Sequence, residues 1–94
     1  MMMVAILHDL MEIKILGTGC PKCNAFEENV RNVLKELGVN ATITKVDKVE
    51  DIVKYGVFAT PGLVINGKLV SQGKVLTREE LIRVITNELL ALRE

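Results

Sequence analysis

The stretch Met11-Glu12-Ile13-Lys14-Ile15-Leu16-Gly17-Thr18-Gly19-Cys20-Pro21-Lys22-Cys23 decides how this chain folds. Ile13 and Ile15 alternate with Glu12 and Lys14, and Leu16 and Gly17 follow, which is the period of a short strand. Thr18-Gly19-Cys20-Pro21 then reads as a turn leading into a helix. Pro21 suits the first helical position, where a missing N–H costs nothing. Phe26, Val30, Val33, Leu34 and Leu37 recur at helical spacing, and Gly38 is expected to close the helix as its C′ residue.

Downstream, Ala41-Thr42-Ile43-Thr44-Lys45-Val46 is β-branched and alternating, a second strand. Val49 to Tyr55 reads as a short helix stopped by Gly56. Ala59-Thr60-Pro61-Gly62 is a strong break. Leu63-Val64-Ile65 and Lys68-Leu69-Val70 flank Asn66-Gly67, the pattern of a hairpin. Thr77-Arg78-Glu79-Glu80 fits a capping box, with Thr77 as N-cap and Glu80 at N3. The last helix carries Leu81, Ile82, Ile85, Leu89 and Leu92 on one side. The expected order is β-α-β-α-β-β-α, an α/β fold, with the first two strands parallel across a right-handed crossover.

Upstream, residues 1–11 stand apart, and we read them as an N-terminal extension to a single domain at 12–94. A packing or dimerisation arm is the sharper reading of the same segment. The apolar start, Met1 to Leu7, lacks a basic region and meets His8 and Asp9 at once, so a signal peptide is not expected.

With 94 residues, one domain is the natural expectation. Apolar residues make up 49% of the chain and there is no Trp, so Ile, Leu and Val must build the core. Lys plus Arg and Asp plus Glu balance at 12 each, which leaves no electrostatic footprint for nucleic acid or anionic lipid. No segment approaches the roughly 20 apolar residues of a membrane span. Two cysteines are too few for a stapled secreted scaffold. The expected setting is the cytoplasm, where a cycling disulfide is at home and a permanent one is not.

Spaced as C-x-x-C, the two cysteines read as a redox or metal pair. A thiol attacks as its thiolate, and free cysteine near pKa ~8.5 is mostly protonated at neutral pH. Cys20 falls at the expected N-cap, where unpaired helix N–H groups and the positive dipole end stabilise an anion. Pro21 sets that helix start and Lys22 adds a nearby cation, so both are read as modulating the Cys20 pKa. Cys23 lies one turn on, and i,i+3 residues have Cβ atoms ~5–6 Å apart, close enough for a small adjustment to close a disulfide. Cys20, at the end, is the expected nucleophile, and Cys23 the resolving thiol. Zinc needs four ligands, and His8 is the one further candidate of note, so no metal is expected in a closed site. A two-thiolate site for a soft metal such as Cu(I) remains an alternative.

A C-P-x-C pair between a first strand and helix, with Thr60-Pro61 some forty residues later before a hairpin, resembles the thioredoxin–glutaredoxin superfamily. The match runs over residues 12–92 and is nearest to its small, glutaredoxin-sized thioredoxins. The resemblance implies a thioredoxin-like fold with a central four-stranded mixed sheet flanked by helices. It implies a protein disulfide reductase and electron carrier, with disulfide-bearing proteins as substrates and a thioredoxin reductase as electron source. It implies no cofactor beyond the Cys20–Cys23 pair, and a monomer. Pro61 would be cis, exposing the Thr60 backbone to pair with an extended substrate as a short added strand. Gly73 would leave room beside the site, or serve as a turn glycine.

The departures from that family are specific. Lys14 stands where many thioredoxins carry an Asp, six residues before the attacking cysteine, so Cys23 needs water or another base. Lys14 is one candidate for that base, with a solvent-facing side chain as its plainer reading. Gly19 replaces the usual aromatic residue. Gln72-Gly73-Lys74-Val75 replaces the Gly-Gly-x-Asp stretch by which glutaredoxins hold glutathione. Besides the soft-metal carrier, a redox adaptor that docks one partner is the further alternative.

Overall fold

The computed structural model describes residues 11–19 and 21–92, and of Leu92 the backbone only. The elements are β1 (Met11–Leu16), α1 (Pro21–Leu37), β2 (Ala41–Val46), α2 (Val49–Lys54), β3 (Gly62–Ile65), β4 (Lys68–Gln72) and α3 (Arg78–Leu92). They make one four-stranded sheet in the order β2-β1-β3-β4, with β1 parallel to β2 and antiparallel to β3. This is the mixed α/β sheet expected of the order β-α-β-α-β-β-α.

β1 and β3 are the central strands, which is why Gly62, Leu63, Val64 and Ile65 are all buried. The odd positions of β1 face one way: Met11, Ile13 and Ile15 join Leu63 and Ile65 in a core covered by Phe26, Val30 and Val33 of α1 and Leu81 and Ile85 of α3. On the other face, Leu16 and Val64 pack with Ile52 of α2 and Val57. Helices thus cover both faces, as buried central strands require.

β1 begins at Met11, one residue before the expected start of the domain at residue 12. Met11 is fully buried and pairs with Ala41. Thioether bulk fills the core there, a role that its place next to an apolar leader conceals. Residues 1–10, and with them the expected extension, lie outside the described residues.

Local chemistry sets the element ends. Gly38 has φ 69°, its N–H donates to the Lys35 carbonyl, and the Val39 N–H reaches back to Leu34 at 3.0 Å. That pair of bonds is the Schellman closure of α1. Asn66 and Gly67 both have positive φ, 51° and 83°, the signature of a type I′ hairpin turn. At α3, Thr77 Oγ1 accepts the Glu80 N–H at 3.2 Å while Glu80 Oε1 accepts the Thr77 N–H at 2.9 Å, a complete capping box. β4 departs from simple alternation. Its register shifts between Leu63 and Val64, which pair with Ser71 and Leu69, leaving Val70 as the extra residue of a bulge.

Candidate active site

The C-terminal end of β1 gathers several of the candidate residues. Leu16 pairs with Gly62, so Pro61 lies beside that end, and Gly62 pairs in turn with Gln72 at the end of β4. The Gly17 N–H donates to the Val46 carbonyl at 2.9 Å, which ties the end of β2 to the same place. Sheet pairing alone thus brings residues far apart in the chain to one end of the sheet.

Cys23 is the third residue of α1, 5% exposed and disulfide-bonded. The chain has one other cysteine, Cys20, which lies outside the described residues together with its expected N-cap geometry. α1 begins at Pro21, the first helical position expected for it. Pro21 and Lys22 are both exposed. An ammonium in solvent acts on its neighbours through high dielectric and salt, so any effect of Lys22 on a nearby thiol is small.

Against Cys23 lies a glycine that sequence reasoning passed over. A Cβ on Gly17 would fall 2.5 Å from Cys23 Sγ and 2.9 Å from Cys23 Cβ. The φ of Gly17 is not in the left-handed region, so what demands glycine here is the approach of the sulfur to backbone. Glycine at a strand end often marks such an approach. That is the signal in Leu16-Gly17, masked by an obvious turn just after it.

The Thr60–Pro61 peptide bond is cis. Pro61 is buried and Thr60 half-buried. Gly73, φ 73°, donates its N–H to the Pro61 carbonyl at 2.9 Å, and a Cβ on it would lie 2.8 Å from Ala59 Cβ. Gly73 therefore stands against the segment before β3 and braces it. Gln72, its neighbour, accepts the Phe58 N–H on Oε1 at 3.0 Å. This second brace is invisible in sequence, since it joins an ordinary strand residue to a loop amide 14 positions away.

Lys14 neither faces bare solvent nor waits as a base. Its ammonium donates to the Tyr55 hydroxyl at 2.8 Å and lies 5.4 Å from the ring centroid. The hydrogen bond to Tyr55 holds the Lys14 pKa above its ordinary 10.5, with the charge interaction between the two groups adding to it. A lysine kept protonated cannot take a proton from Cys23 at neutral pH. Among the described residues no group of three or more His, Cys, Asp or Glu side chains is placed to hold a metal ion.

A model of the thioredoxin domain matches residues 11–86. The chain belongs to the thioredoxin domain family. It is 38% identical to a thioredoxin of Methanothermobacter thermautotrophicus over 82% of this chain and all of that one. It is 44% identical to a thioredoxin of Methanocaldococcus jannaschii over 77% of this chain and 83% of that one. Among solved structures, a malaria-parasite thioredoxin-2, described as a component of the parasite's protein secretion machinery, superposes with a TM-score of 0.64 at 19% identity over 82% of each chain. That likeness concerns the fold alone. Family membership makes the chain a thiol–disulfide oxidoreductase, and the comparisons lend the soft-metal carrier no support.

Proposed function

We propose that the chain is a protein disulfide reductase whose working dithiol is Cys20 and Cys23, with Cys20 as nucleophile. The observation that carries the reading is the packing of the disulfide-bonded Cys23 onto Gly17, at the sheet end that also holds the cis Thr60–Pro61 bond.

The Cys20 thiolate attacks one sulfur of a substrate disulfide; that S–S bond breaks, and the other substrate sulfur leaves as a thiolate and takes up a proton. The Cys23 thiolate then attacks Cys20 in the mixed disulfide. The second substrate thiol is released, and the Cys20–Cys23 disulfide remains. Two electrons have passed from the chain to the substrate. An external dithiol donor, in this reading a thioredoxin reductase, restores the reduced pair. With Lys14 held as ammonium, water or another base accepts the Cys23 proton.

Substrate docking is assigned to the Thr60 backbone, with Pro61 and Gly73 shaping its surroundings. In support, no loop or turn hydrogen bond among the described residues engages the Thr60 backbone. An extended substrate segment can supply those partners as a short added strand. Pro21 bears on the Cys20 thiol by fixing the helix start, and Lys22 adds a small, solvent-screened contribution of charge. No cofactor enters the cycle, and the protein works as a cytoplasmic monomer.

Insulin reduction in the presence of dithiothreitol tests the activity. The wild type accelerates precipitation of the insulin B chain, and Cys20→Ser abolishes the acceleration. No acceleration by the wild type would overturn the reductase reading.

A further inference from the structure

Phe58 is 85% exposed, in a chain with two phenylalanines. Its partner in kind, Phe26, is fully buried. Single exposed apolar residues are common on protein surfaces and need no function. Phe58 differs in being held. Its own N–H is bonded to Gln72 Oε1 at 3.0 Å, Val57 before it is buried in the core, and Ala59 after it rests on Gly73. Two residues further on, the Pro61 carbonyl accepts the Gly73 N–H at 2.9 Å. The backbone from Val57 to Pro61 is therefore tied to β3 and β4 at several points, and it carries an aromatic ring into solvent two residues before the backbone assigned to dock substrate. Among the described residues the other large exposed apolar side chains, Val49, Val53 and Leu90, lie on α2 and α3 and share none of these ties.

We propose that Phe58 is a specificity-determining contact that takes an apolar side chain close to the disulfide of the substrate, and that Gln72 is the positioning residue that fixes it. The inference rests on the docking role assigned above to Thr60. A segment laid along the Thr60 backbone carries its neighbouring side chains past residue 58, and an apolar one removes ring surface from water. Because the loop is already fixed, little ordering entropy is lost when the contact forms. A charged or small polar neighbour gains nothing from the ring.

The test uses two symmetrical disulfide-linked peptides that differ only in having Leu or Ser beside the half-cystine, with the intact chain as catalyst. The readout is the ratio of kcat/KM for the Leu peptide to that for the Ser peptide. This cancels changes in folded fraction or in thiol chemistry common to both. The wild type is expected to favour the Leu peptide by about five- to tenfold, mostly through KM. Phe58→Ala should bring the ratio to about one, whereas Phe58→Leu should keep most of it. Gln72→Ala should lower the ratio and Gln72→Glu, which keeps an acceptor for the Phe58 N–H, should restore it. Equal turnover of both peptides by the wild type, or an unchanged ratio in Phe58→Ala, overturns the role of Phe58. An unchanged ratio in Gln72→Ala overturns the role of Gln72. Failure of the wild type to reduce either peptide overturns the dithiol reading beneath.

Discussion

Gly17→Ala puts the contact between strand end and dithiol under direct load. Non-bonded heavy atoms settle at about 3.5–4.0 Å. The new methyl group would start 2.5 Å from Cys23 Sγ and 2.9 Å from Cys23 Cβ. About 1 Å of relief is needed, and neither side yields readily. Cys23 is disulfide-bonded on a helix anchored by the buried Phe26 and Val30. Gly17 is held by its bond to Val46 and follows Leu16, which is fully buried. Overpacking of this kind costs about 1–3 kcal/mol. In a domain of this size each kcal/mol moves Tm by about 4–8 °C. Displacement of a reacting group by about 1 Å can cost about 100-fold in rate. We therefore expect Gly17→Ala to lose about 10- to 100-fold in insulin reduction, measured well below its Tm and corrected for folded fraction. A variant with wild-type rate and a Tm within about 2 °C of wild type would show that the two groups are not in contact, and the reasoning would fail.

Other expectations concern the frame that holds the site. Ile85 of α3 is fully buried, so Ile85→Ala should cost about 2–5 kcal/mol, read as a lower urea midpoint at unchanged m value. Gly67→Ala must adopt φ 83° with a Cβ, a cost of about 1–2 kcal/mol in the same assay. Glu80 is pulled down to about 2 by its bond from Lys74 and by the Thr77 N–H. A carboxylate depressed in the folded state stabilises fully above its ordinary value of 4.5, and that stabilisation is lost as pH falls toward about 2. The Tm gap between wild type and Glu80→Gln should thus be widest above pH 4.5 and close as pH approaches 2, and a gap independent of pH would contradict the ion's role.

Much of this molecule is legible in its sequence where the physics is local. The Schellman end at Gly38, the Asn66-Gly67 turn and the Thr77–Glu80 box each involve bonds spanning five residues or fewer, and short patterns encode them directly. The parallel pairing of β1 with β2 and the β3–β4 hairpin follow from element order and loop length. What escaped the sequence depends on tertiary approach. Nothing near Lys14 announces Tyr55, 41 positions on, whose hydroxyl turns a candidate base into a fixed cation. Gly17 looks like punctuation until Cys23 is packed against it. Gln72 looks like the end of a strand until the bulge at Val70 and the loop before Pro61 bring the Phe58 amide to its side chain. Met11 fills the core, yet an apolar residue beside an apolar run carries no mark of where it packs.

Trapping the mixed disulfide decides whether Cys20 attacks and Cys23 resolves. Each single Cys→Ser variant is reduced, mixed with a protein disulfide substrate and analysed by non-reducing mass spectrometry. Cys23→Ser should accumulate a covalent adduct linked through Cys20, since no thiol remains to release it, while Cys20→Ser should accumulate none. A stable adduct through Cys23 in Cys20→Ser, with none in Cys23→Ser, would contradict these roles.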